Sequence, residues 1–285
     1  MVNAAQELAL KAAALVEQLQ PEQSLEFFQQ ALQLEPKNVT ILDQYADCLI
    51  EVGRDQEAQQ ILQTSIELAP FENPFKYMNL GQLLSGLQAL ECFKKGTELM
   101  MQLPVSDEIK TRLASGLCSM AELYMTDLCD EPNAESACEA LLYRAAELSS
   151  GSIDVHQSLA SLRLIQERFE EASSYISRCL ELIDNEDEDD SSISFEMRLD
   201  LAKMCIELDR YSDALDLIDR CLCDDDTVAE LWVLAGLCYI KEDDLDNAQE
   251  FLGRGQQILS NEPDDALQAE LDAMLKELQQ KQRAI

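Results

Sequence analysis

The chain has 285 residues, with 56 acidic side chains against 21 basic ones, a formal net charge of −35 and one histidine. Such a charge repels nucleic acid and anionic membrane surfaces and draws basic partners from a distance. A lone histidine leaves no two-histidine zinc site and no histidine acid–base pair, and the longest apolar stretch, 231–240, is far short of the ~20 residues a membrane span requires.

Residues 1–20 mix polar and charged side chains into an amphipathic helical pattern without the apolar core and cleavage site of a secretory signal, so a chain that is not secreted is expected. From there one spacing recurs: a small residue, an apolar residue four later, and a small residue three after that. Ser24/Phe28/Ala31, Ala58/Leu62/Ser65, Ala89/Phe93/Gly96, Cys138/Leu142/Ala145, Ala172/Ile176/Cys179, Ala214/Ile218/Cys221 and Ala248/Leu252/Gly255 obey it. Their first positions stand 34, 31, 49, 34, 42 and 34 residues apart, and the recurring 34 is the period of the tetratricopeptide repeat. In the seventh copy Trp232, Ala235, Gly236 and Tyr239 resemble that repeat's W-x2-L-G-x2-Y entry, with Ala235 in place of Leu. Leu42, Tyr45, Ala46 and Leu49 hold the same places in the second copy, and Pro36 and Pro70 close the first two units.

Small residues at the crossing points let two antiparallel helices approach, and Phe or Leu four residues on fills the gap to the next hairpin. One hairpin cannot bury that face alone. The resemblance therefore implies an all-α, right-handed superhelical solenoid of about seven helix-turn-helix repeats over 1–262, whose first helices line a concave inner surface. An acidic loop insertion is expected at 184–192. After Pro263, Ala266, Leu267, Leu271, Met274, Leu275 and Leu278 recur at helical spacing, with Lys276, Lys281 and Arg283 toward the negative end of the helix dipole. This predicts a C-terminal capping helix over 263–285.

Five of the ten cysteines read as core residues by position. Cys179 and Cys221 hold small-residue slots, Cys205 a tyrosine slot, and Cys48 and Cys238 the positions before such slots. Cys221 and Cys223 are too close for a zinc knuckle and have no second pair, so no metal is expected. His156 opens the fifth repeat at an aromatic slot. Gly81 and Gly86 fall in a repeat hairpin rather than after a strand, so no phosphate loop, cofactor or enzymatic activity is expected.

In the repeat family the second, fifth, ninth and twelfth residues of each first helix face the groove. Aligned on the triplets, these places hold Asp43, Asp47, Asp154, Glu196 and Glu230, with Glu122 added if Tyr124 is the aromatic slot of the fourth repeat and an insertion follows at 129–133. Phe75, Met78, Leu199, Val233 and Leu237 fall between them, and Lys203 is the one cation placed there. Repeats that clamp the acidic tails of heat-shock chaperones need lysine, arginine and asparagine where this chain has Ala9, Ala13, Asp43 and Asp47. A lysine- and arginine-rich segment is the expected ligand. Histones, ribosomal proteins and nuclear import signals all qualify on charge, and a repeat adaptor or co-chaperone scaffold for a histone or import cargo is the alternative reading.

A narrower likeness rests on idiosyncratic runs. Ala121-Glu122-Leu123-Tyr124-Met125-Thr126-Asp127-Leu128-Cys129 with Glu131-Pro132, Ala134-Glu135 and Cys138-Glu139, then Tyr77-Met78-Asn79-Leu80-Gly81-Gln82 before a shortened hairpin through Ala89-Leu90-Glu91-Cys92-Phe93, and Leu159-Ala160-Ser161-Leu162-Arg163-Leu164 are similar to the fungal assembly chaperones of the large-subunit ribosomal protein L-four. The resemblance implies capture of newly made ribosomal protein as a monomer in a 1:1 complex, shielding of its basic internal loop, and delivery to the pre-60S particle, with residence in cytoplasm and nucleus and no direct contact with nucleic acid or membrane. It also implies a longer acidic tail than the ending Gln282-Arg283-Ala284-Ile285. A cationic loop built to thread ribosomal RNA is disordered alone, and an acidic groove would stand in for phosphate.

Overall fold

First and second helices alternate along the chain. In a computed structural model that describes residues 3–184 and 193–284, the first helices are α1 (Ala4–Glu17), α3 (Val39–Glu51), α5 (Phe75–Gln82), α7 (Asp107–Met125), α9 (Ile153–Ile165), α11 (Phe195–Glu207) and α13 (Ala229–Lys241). The second helices are α2 (Pro21–Leu34), α4 (Asp55–Leu68), α6 (Gly86–Met100), α8 (Ala134–Leu148), α10 (Phe169–Asp184), α12 (Tyr211–Asp224) and α14 (Leu245–Asn261), followed by α15 (Asp265–Ala284). Among the described residues there is no strand. Beyond Asp184, the expected acidic insertion at 184–192 lies outside the described residues.

All seven sequence triplets lie on second helices, and every member is buried. Local chemistry sets the helix starts. Asn3 and Gln6 form a reciprocal capping box, Asn38, Ser106, Ser194 and Asp244 each accept the backbone N–H three residues on, and Pro21 occupies the first turn of α2. Hairpin turns repeat one backbone solution. Leu19, Gly53, Glu167, Asp209 and Asp243 all have positive φ near 60–70° or just below. The residue after each donates its N–H to a carbonyl five back, as in Arg54 to Leu49 at 2.8 Å and Asp244 to Tyr239 at 2.9 Å. This left-handed helix ending satisfies carbonyls that would otherwise be orphaned, and only Gly53 adopts it without steric cost. The α5–α6 and α7–α8 hairpins depart from it. There α5 is only eight residues long, α6 begins at Gly86 with φ +56, and residues 126–133 form the extra turn before α8.

The chain divides into two compact units, 1–158 and 159–285. In the first, Ala5, Ala9 and Ala12 of α1 pack with Phe28, Tyr45, Leu49 and Ala58, and the Phe28 and Tyr45 ring centroids are 6.0 Å apart. Next along this unit, Gly81 of α5 abuts Phe93 so closely that a Cβ would lie 2.8 Å from the ring. In the second unit Val233, Ile240, Leu252 and Leu259 form a core that Leu271 and Leu278 of α15 close. Lys281 adds a hydrogen bond to the Ile240 carbonyl at 2.9 Å and an ion pair to Asp243. Trp232 and Tyr239 both pack on Phe251, with centroid distances of 5.2 and 5.0 Å. Cys48, Cys138, Cys179, Cys205, Cys221 and Cys238 are buried, and burial pushes the Cys205 and Cys238 thiols up to about 12.

Candidate partner-binding surface

In the first unit, α3, α5 and α7 together frame a notch of about 340 Å3, lined by Asp43, Asp47, Ile50, Asn73, Phe75, Lys76, Asn79, Gln82 and Arg112. Its floor is a closed polar network. Asp43 accepts from the Ser65 hydroxyl and, at 2.6 Å, from Asn73 Nδ2. Lys76, 1% exposed, donates to the carbonyls of Ala69 at 2.6 Å and Ser65 at 3.2 Å, capping the C-terminal end of α4, and burial lowers its pKa. Asp43 thus lines the notch, but with both oxygens engaged it braces α3 against α4 and the α4–α5 link rather than offering charge to a partner.

Asp47, one turn along α3, is different. It reaches solvent, yet the notch walls crowd its carboxylate. Burial, and then the Asp43 charge, push its pKa up to about 6 against the hydrogen bond from Asn79 Nδ2 at 2.6 Å and the charge of Arg112. Phe75 is half-buried, with the Arg112 guanidinium 4.5 Å from its ring centroid. Met78 turns inward instead of facing the groove, because the crossing of α5 with α6 and α7 leaves room for it: a Cβ on Gly96 would lie 2.6 Å from its sulfur, and its terminal methyl covers Gly116.

Farther along the same unit, Glu122 is exposed on α7 and Asp154 is half-buried on α9. Burial, the largest cause, pushes the Cys118 thiol up to about 12 against a hydrogen bond with Ser158, and the charges of Asp154 and Glu122 raise it further. Burial also raises the Asp154 carboxyl. In the second unit Glu196 is exposed, while Glu230 pairs with Lys203 at 2.8 Å. The cation expected in the groove is therefore engaged with one of the expected acids. Leu199 and Leu237 are half-buried, whereas Val233, 1% exposed, belongs to the core beneath α13 and not to the surface. Among the described residues no three His, Cys, Asp or Glu side chains converge as metal ligands, and no helix is long and apolar enough to cross a membrane.

Arg112, Asn73 and Asn79 escaped the sequence reading. Aligning the fourth repeat on Tyr124 left the first half of α7 out of register, although Ser106-Asp107-Glu108 is a helix-start signature that could have located Arg112 one turn in. The notch also sets a stability test. Unfolded aspartate titrates near ~3.9, so between about pH 4 and 6 the unfolded chain sheds a proton that folded Asp47 keeps, and stability falls as pH rises through that window. Asp47→Asn keeps an acceptor for Asn79 and is expected to gain about 1 kcal/mol at pH 7, after allowing for solvent screening at this partly exposed site. Denaturant titration should show the gain shrinking toward zero near pH 4; an equal gain at both pH values would contradict the assignment.

Tetratricopeptide-repeat family models match residues 15–76 and 229–258. A Schizosaccharomyces pombe protein named "probable assembly chaperone of rpl4" is 31% identical over 178 residues, covering 60% of this chain and 53% of that protein. An Emericella nidulans protein of the same name is 28% identical over 243 residues, covering 80% of this chain and 62% of that protein. The chain thus spans just over half of the curated relatives it matches. The solved structure of the assembly chaperone of RpL4 (Acl4, residues 1–338) superposes with a TM-score of 0.74 at 25% identity, covering 87% of this chain and all of that one. All-helical among its described residues, the chain matches tetratricopeptide-repeat models over 15–76 and 229–258 and is similar to assembly chaperones of rpl4.

Proposed function

We propose that the chain is a dedicated, non-enzymatic assembly chaperone that binds a basic, extended segment of a newly made large-subunit ribosomal protein of the L-four type. It shields that segment on the acidic face of its first helices, as a monomer in a 1:1 complex, from cytoplasm to nucleus, until incorporation into the pre-60S particle. The observation that carries this reading is the coincidence of two independent features. The proteins it resembles over most of its length are named for rpl4 assembly. The repeat resemblance assigns Asp47, Glu122, Asp154 and Glu196 to the groove, and all four lie on first helices with exposed or half-buried side chains.

Affinity capture from cell extract at low salt, with identification of the stoichiometric partner, tests the proposal. One basic large-subunit ribosomal protein is expected; a histone or import cargo in its place would favour the adaptor reading. Peptides ending in paired glutamate and aspartate should show no saturable binding even at millimolar concentration, since the groove lacks the cationic clamp their two carboxylates require. Micromolar binding of such a peptide would sink the basic-client reading.

A further inference from the structure

We propose that the notch between α3, α5 and α7 is a subsite for one arginine side chain of the client, and that in the free chain Arg112 occupies its aromatic wall as a displaceable stand-in. This rests on the basic-client reading and names the chemistry of one contact within it.

Three features of the notch fit a guanidinium better than an ammonium. Phe75 offers a ring face that already holds a guanidinium, that of Arg112, at 4.5 Å. Asp47 uses one carboxylate oxygen to accept from Asn79, while its second oxygen accepts no hydrogen bond from the described protein. Asn73, Asn79 and Gln82 add side-chain amides around the same space of about 340 Å3. A planar guanidinium stacks on a ring and directs N–H donors outward along its edge, so it can meet ring and carboxylate together; a lysine ammonium is a point charge that can pair with the acid but cannot stack.

Arg112 satisfies only half of the site. Its Nε donates to Glu108, one turn back on its own helix, at 3.2 Å, and it forms no ion pair with Asp47. Arg112 and Glu108 are both largely solvent-exposed, and such i,i+4 pairs hold weakly. A client arginine that takes the ring face and the vacant Asp47 oxygen together makes a contact Arg112 does not make, while Arg112 stays paired with Glu108 at the rim.

The test compares two short lysine-rich peptides, identical except that one carries a central arginine where the other has lysine, titrated calorimetrically at low salt. The arginine peptide is expected to bind about three- to tenfold tighter, the range of one partly desolvated cation–π contact. Phe75→Leu should erase the preference while leaving the all-lysine peptide within about twofold of wild type, and circular dichroism reports whether that variant folds. Arg112→Gln, a change at an exposed position, should widen the preference by freeing the ring. Equal binding of the two peptides to wild type, or an unchanged ratio in Arg112→Gln, overturns the subsite while salt-dependent capture keeps the client reading intact. No binding of either peptide overturns both.

Discussion

Reversing Asp47 and Glu122 together to lysine is expected to weaken capture of a basic client segment at least about tenfold. Each close ion pair at a partly desolvated interface contributes on the order of 1 kcal/mol or more, reversal adds repulsion, and tenfold corresponds to only about 1.4 kcal/mol. Asp47 faces the notch and Glu122 is exposed on α7, so the helical signal should not change. The control is reversal of Glu91 and Glu147, exposed on the second helices α6 and α8, which alters net charge equally. It should act only through the long-range field, and so modestly. Wild-type binding should weaken as salt rises, because the Debye length falls from about 10 Å at 0.1 M to about 3 Å at 1 M. If both reversals weaken binding alike, diffuse charge holds the client and no inner stripe exists.

Two of the three glycines of the last hairpin, Gly236 and Gly253, are expected to respond to substitution with opposite signs. A Cβ on Gly236 of α13 would strike the Leu252 side chain, with Cγ at 2.6 Å, and Leu252 is fully buried among Val233, Leu259, Leu271 and Leu278. The obstructing side chain has little room to move. Gly236→Val should therefore cost about 3 kcal/mol, because overpacking outweighs the roughly 0.3–0.5 kcal/mol of helix propensity regained in going from glycine to valine. Gly253 of α14 meets nothing within 4 Å and is exposed, so Gly253→Ala should gain about 0.5–1 kcal/mol. Urea titration of each variant decides. A tolerated valine at Gly236 would mean that α13 and α14 do not cross as closely as the structure places them.

The repeat architecture was legible because close helix crossing imposes a local rule. Ala58, Leu62 and Ser65, three and four residues apart, must occupy one helix face, and each copy states the rule again. The α15 pattern was legible for the same reason, since Leu271 and Leu278 are two turns apart on one side of one helix. The groove was only partly legible. Asp43 and Asp47 are one turn apart on α3, yet one is engaged by Ser65 and Asn73, 22 and 30 residues away, and the other is crowded by a wall that includes Arg112. Met78 and Val233 illustrate the same limit. A position rule from regular repeats says which way a residue points, but burial depends on the small residues opposite, and the short α5 and the long α7 fall outside the regular spacing.

Zero-length carbodiimide coupling of the chain to its basic client segment, with the linked pairs mapped by mass spectrometry, tests the central claim most directly, because it joins only carboxylates and lysines in contact. The account predicts links concentrated on first-helix acids, Asp47, Glu122, Asp154 and Glu196, that fade as salt rises. Links concentrated instead on second-helix acids such as Glu57, Glu91 and Glu147 would contradict it.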